Sequence, residues 1–294
     1  MVRATTSETA PRPSDAIALI VAFMLVVGFT FSDDIVEFLL DVSGNGYSAV
    51  RPWLVFVLDC VLVLGTAALK WRLSGGRESW AAFVRKLVTG TWGLGAVLVI
   101  VGHLALIVTA GHRAGLGDVA SVWLNLLATV VFVTAMGLLL LSALDEGPTS
   151  RSWIVPLIIG TFVVQVATLL WYPVINVETG CAGDISSSYF SDMTNITAVV
   201  LLALGVESNF VRRSATARDL GHRVAPVLTA ILLCIGLALS FTMLAKADMG
   251  PFCGLGAVWH EYISFVVSAQ GLAIGLATLV WLMVVDAGQE SSDR

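Results

Sequence analysis

The chain has 294 residues, of which 57% are hydrophobic and only 13% charged, with a formal net charge of −5 and a mean hydropathy of +0.89. A soluble domain carries about 25% charged residues, so a water-coated globular surface is excluded over most of this length. Nothing beyond short arginine clusters points to nucleic acid, and no nucleic acid partner is expected.

Residues 1–14 are polar and carry Pro11 and Pro13, and they read as a disordered cytoplasmic N-terminus. The first apolar run, Ala16 to Phe31, ends in Phe29-Thr30-Phe31-Ser32-Asp33-Asp34 with no small-x-small cleavage pattern, so it reads as a membrane helix. Crossing the hydrocarbon core takes roughly 20 apolar residues. Such runs lie at 15–32, 52–71, 88–110, 119–143, 153–174, 189–208, 224–245 and 259–285. The predicted fold class is an all-α integral membrane protein. It is an eight-transmembrane-helix bundle over 15–286, followed by a cytoplasmic tail at 287–294. Two connecting segments, Asp33 to Val42 and Glu78 to Lys86, mix apolar and charged residues and predict short helices lying on the outer and inner surfaces. No internal repeat of the inverted transporter kind is legible.

Short loops on the cytoplasmic side collect Lys and Arg. One alternate set of segments holds 13 basic residues, among them Lys70, Arg72, Arg77, Arg85, Lys86 and Arg151, and the other holds only Arg51, Arg113 and Lys246. The alternation places both termini in the cytoplasm and needs an even number of spans. All 9 tryptophans fall near predicted helix ends, where indoles anchor at the interface. The preponderance of arginine over lysine, with much Ala, Gly and Val, suggests a GC-rich bacterium and hence a bacterial cytoplasmic membrane.

Of the 4 cysteines, Cys60 and Cys234 lie in predicted spans, whereas Cys181 and Cys253 lie in glycine-rich outer loops. The outer face is oxidising, so a Cys181–Cys253 disulfide is predicted. No Cys-x-x-Cys, Gly-x-Ser-x-Gly or phosphate-binding loop is present.

Ionisable groups inside a membrane are costly and point to function by default. Asp59 and His103 are the candidates, with the amides Asn125, Gln165 and Asn195 at similar depth below the outer end and Gln270 near mid-span. The inner halves read as uninterrupted apolar runs. This one-sided polarity predicts a polar pocket open to the outside, and it disfavours a continuous ion pathway. An outer rim of Asp33, Asp34, His112, Asp192, His260 and Glu261 adds to a face carrying 10 acids against 3 bases, which would attract cations. Imidazole and carboxylate suit a divalent metal, so His112, Asp192, His260 and Glu261 form a candidate set. Haem is a weaker option, because His103 has no second buried histidine. No cofactor is expected beyond these two options. The expected partners are the lipid bilayer and other membrane subunits.

Three functions remain open. The favoured one is an outward-facing binding or sensing protein, or an accessory subunit of an envelope complex. The second is a proton- or cation-coupled transporter using Asp59 and His103. The third is a membrane enzyme at the outer leaflet using the histidine and carboxylate rim.

Overall fold

The computed structural model describes residues 13–44, 49–74, 79–113, 118–145, 154–171, 181–214, 220–247 and 252–292. These residues form ten α-helices and no strand. They run α1 Pro13–Thr30, α2 Ser32–Val42, α3 Arg51–Ser74, α4 Trp80–Thr89, α5 Thr91–Arg113, α6 Asp118–Leu144, α7 Val155–Trp171, α8 Ser187–Ser214, α9 Leu220–Ala247 and α10 Leu255–Ser292. Helices α2 and α4 are the two connecting helices expected from sequence, and the other eight occupy the eight apolar runs. Six of them (α3, α5, α6, α8, α9 and α10) are long and apolar enough to cross a bilayer. Helices α1 and α7 contribute shorter apolar stretches, Ile20–Thr30 and Val155–Ala167. The chain is a polytopic helical membrane protein.

Several helices outrun their apolar segments. Helix α8 continues to Ser214 and α10 to Ser292. Hydropathy marks where a chain leaves hydrocarbon, whereas a helix ends where its hydrogen-bond ladder stops. Local signals set other ends. Pro52 sits in the first turn of α3, where its missing N–H costs nothing. The Ser79 hydroxyl caps α4 by accepting from the Ala82 amide at 3.4 Å.

The surface is apolar where a soluble protein would be polar. Leu64, Val108, Val199 and Leu202 are each about two-thirds or more exposed. Such a belt, on helices long and apolar enough to cross a bilayer, suits contact with lipid. Small and branched residues fill the interior. One buried cluster joins α1, α3, α4, α5, α6 and α7 through Phe29, Leu69, Phe83, Val99, Met136 and Leu157. A second joins α8, α9 and α10 through Val200, Leu204, Leu233 and Leu282. Helix α7 packs on α10 and links the two. A Cβ on Gly160 would lie 2.6 Å from Ile274 Cα, so only glycine permits this backbone approach.

The bundle has two distinguishable ends. At one lie α2, the start of α3 and the Cys181–Cys253 disulfide, the pairing expected from sequence. At the other lie α4 and the aromatic cluster Trp71, Trp80 and Phe83, with ring centroids 4.7 to 5.8 Å apart.

Candidate functional site

Helices α3 and α5 meet at an acid–base pair. Asp59 is 1% exposed, and its Oδ2 accepts from His103 Nδ1 at 2.9 Å. The imidazole is also flanked by the Phe56 ring, with centroids 5.8 Å apart. Asp59 lies eight residues into α3, about 12 Å from the disulfide-side end at 1.5 Å per residue. Its second oxygen, Oδ1, is buried with no hydrogen-bond partner. An unpartnered carboxylate oxygen in a closed interior is costly. Among the described residues it marks a position on the α3–α5 seam with unused capacity to accept a hydrogen bond.

The structure does not gather all five predicted pocket residues here. The half-buried Gln165 amide on α7 donates to the Thr30 carbonyl of α1 at 3.4 Å. Asn125 on α6 and Asn195 on α8 stand on exposed faces. Depth along a helix is readable from sequence, but the face a residue occupies depends on packing, and these two residues sit on exposed faces.

Sequence reasoning also missed polarity deeper in the bundle. The buried face of α3 carries Asp59, Val63, Thr66 and Lys70 in succession. Thr66 Oγ1 accepts from Trp92 Nε1 at 2.8 Å. Lys70, assigned to a basic loop by its position in sequence, is instead buried and donates to both the carbonyl and the hydroxyl of Ser142 at 2.9 Å. Trp92 is likewise interior rather than an interfacial anchor. A further buried contact has Gln270 Nε2 donating to Thr161 Oγ1 at 2.8 Å. The polarity of the bundle is therefore not confined to the disulfide end.

The rim residues act chiefly as fastenings. Arg51 pairs with Asp33 and with Glu37, each at 2.7 Å, and ties α2 to the start of α3. Trp259 Nε1 donates to Asp41 at 3.0 Å, and the Tyr262 hydroxyl donates to Asp34, so α2 is also clasped to α10. Glu261 is 1% exposed and accepts from the backbone N–H groups of Gly183 and Ile185, both at 2.9 Å. The disulfide and the Ala182 amide, which donates to the Phe252 carbonyl at 2.8 Å, close the same pad. A cavity of about 80 Å³ beneath it, bordered by Phe190, Met243, Lys246 and Glu261, has room for a few waters rather than an organic ligand. His260 is held between Lys246 Nζ at 2.8 Å and Thr242 Oγ1 at 3.0 Å. Lysine can only donate, so Nδ1 accepts and Nε2–H faces the hydroxyl.

Two members of the expected metal set, His260 and Glu261, are already committed to other partners through both ring nitrogens and both carboxylate oxygens. Asp192 is exposed on α8, and the His112 side chain lies outside the described residues. Among the described residues no three His, Cys, Asp or Glu side chains come together in a way that suits a metal ion.

The clasp carries a pH signature. Burial raises the Asp34 carboxyl above its ordinary value of 3.8, against the opposing pull of the Tyr262 hydrogen bond, and Asp33 adds to the rise. Burial likewise raises Glu37, although Arg51 pulls it down. A carboxyl raised on folding contributes stability that is complete below its unfolded value and is lost as pH rises through its folded value. At neutral pH the ionised Asp34 therefore costs stability. Asp34→Asn keeps an acceptor for Tyr262 and removes that charge, so a higher thermal midpoint at pH 7 is expected, with the gain shrinking on acidification. Tyr262→Phe is expected to cost about 1–3 kcal/mol. A lower midpoint for Asp34→Asn at neutral pH would show that the charge strengthens the clasp more than burial penalises it.

The chain matches no protein-family model, no curated protein and no solved structure.

Proposed function

We propose that this is an eight-span protein of a bacterial cytoplasmic membrane, with both termini cytoplasmic and the disulfide end outside. Its function is proton-responsive binding or sensing, alone or as an accessory subunit of an envelope complex. Support for eight spans comes from the eight apolar helices and the alternation of basic loops, and the disulfide fits an oxidising outer face. The functional centre is the Asp59–His103 pair. The observation that carries this is a 1% exposed carboxylate in contact with an imidazole between two spanning helices. Histidine is the side chain suited to signalling between about pH 5 and 8. The pair joins α3 to α5, so a change at either side chain bears directly on how the two helices pack.

Hydrogen exchange of the purified protein in nanodiscs, followed from about pH 5 to 8, tests the proposal. Once the intrinsic pH dependence of exchange is removed, protection in α3 and α5 should change through this range in the native chain and stay level in Asp59→Asn. Level protection in the native chain would refute proton sensing by this pair.

A second reading, proton-coupled transport, is favoured by Thr66 and Lys70 continuing the buried polar face of α3. Against it, Thr66 stands about 10 Å beyond Asp59 along the helix, with buried Val63 between them. That gap is too long for direct proton transfer. Proteoliposomes loaded with a pH-sensitive dye separate the two, since only a transporter dissipates an imposed proton gradient in an Asp59-dependent way.

A further inference from the structure

We propose that α4 and the adjoining end of α3 form a binding site for an anionic phospholipid, with one acyl chain along Trp80, Val84 and Val88 and the phosphate held by Arg85. Helix α4 has two apolar faces. Phe83 and Leu87, one turn apart, are buried against the bundle. Trp80 and Val88 point outward and are each 64% exposed. The second face is only partly used by the fold: Trp80 touches Trp71 and Phe83, and Val84 packs partly against the core, while Val88 stays open. It borders a shallow groove of about 420 Å³ formed by Trp80, Ala81, Val84, Arg85, Val88 and Thr89. The groove has an apolar floor with a guanidinium and a hydroxyl beside it. This pattern matches a lipid, with its alkyl chain continuing into a charged head.

Position favours a lipid over a protein partner. Helix α4 is followed directly by α5, a spanning helix, through Gly90. Trp80 packs edge-on against Trp71, three residues from the end of α3, at 5.1 Å between centroids. The helix therefore lies where two spans leave the bilayer, the level that amphipathic indoles and interfacial helices occupy. Acyl chains already surround that level, so they reach the groove without a second protein. Charge selects the headgroup. From residue 70 to residue 86 the chain carries Lys70, Arg72, Arg77, Arg85 and Lys86 against the single acid Glu78. Lys70 is committed to Ser142, whereas Arg72 and Arg85 are exposed. Guanidinium groups match phosphate oxygens in paired geometry. The site stands apart from Asp59 and His103 and from the orientation of the termini.

Native mass spectrometry of the intact detergent-purified protein, titrated with phosphatidylglycerol or with phosphatidylcholine of the same chains, tests the proposal. Phosphatidylglycerol should be retained more tightly, and Arg85→Gln should weaken its retention about fivefold while leaving phosphatidylcholine unchanged. Thr89→Lys adds a base on the same face and should tighten phosphatidylglycerol selectively, which keeps the test decisive if Arg85→Gln folds poorly. Equal retention of the two lipids by the native protein would overturn the proposal. So would undiminished phosphatidylglycerol binding in Arg85→Gln, or equal loss of both lipids, which would leave only a greasy surface.

Discussion

Removing the imidazole of His103 is expected to destabilise the bundle more than removing the imidazole and the Asp59 charge together. In His103→Ala, Asp59 keeps a carboxylate whose Oδ1 already has no partner, and Oδ2 then loses its partner as well. Breaking a buried ion pair from one side costs about 3–5 kcal/mol in soluble proteins. Hydrogen bonds between membrane helices average only about 0.6 kcal/mol in double-mutant cycles. The larger figure should govern here, because what is left behind is an ionisable group rather than a hydroxyl. Asp59→Asn combined with His103→Ala leaves no buried charge and should recover most of the loss. The check is unfolding in mixed detergent micelles for the native chain, both single variants and the double variant. A double variant no more stable than His103→Ala would show that the pair holds α3 to α5 as an ordinary hydrogen bond, with no penalty for a stranded carboxylate.

That pair was legible in sequence because an aspartate and a histidine inside apolar runs at matching depth have few other ways to be accommodated. The disulfide was legible for a similar reason, since Cys181 and Cys253 are the two cysteines outside the spans. Helices α2 and α4 showed themselves through amphipathic composition. Azimuth was not legible. In a soluble helix the polar stripe announces the outward face, but here lipid and interior are both apolar and the period-3.6 signal fades. Asn125 and Asn195 therefore matched Asp59 in depth while facing elsewhere. The same blindness hid the burial of Trp92 and Lys70. A lysine or tryptophan near a helix end is expected at the interface, and only packing against α5 and α6 turned Thr66 and Ser142 toward them. The clasps of α2 to α10 join residues more than 200 positions apart through Asp34–Tyr262 and Asp41–Trp259. No local spacing encodes them.

The second large effect is expected at the pad on the disulfide end. Cys181→Ser with Cys253→Ser opens a link spanning 72 positions. The loop-entropy relation gives about 4 kcal/mol for a loop of this length in a free chain. The chain between these cysteines contains α8 and α9, which stay embedded when the bundle loosens, so the unfolded ensemble is already restricted and about 2 kcal/mol is expected. Glu261→Ala acts on the same segment by another route. It strands the buried amide of Ile185 at about 1–3 kcal/mol, whereas the amide of exposed Gly183 can turn to water. While the disulfide is intact the pad cannot swing out to hydrate the Ile185 amide, so that penalty is borne in full. Once the disulfide is removed the pad can lift and this amide can find water. Glu261→Ala should therefore cost less in the serine background than in the native chain, a sub-additive cycle readable from thermal midpoints with and without reductant. A Glu261→Ala cost that grows when the disulfide is absent would mean the carboxylate alone keeps the pad seated, and the covalent link would then be the subordinate fastening.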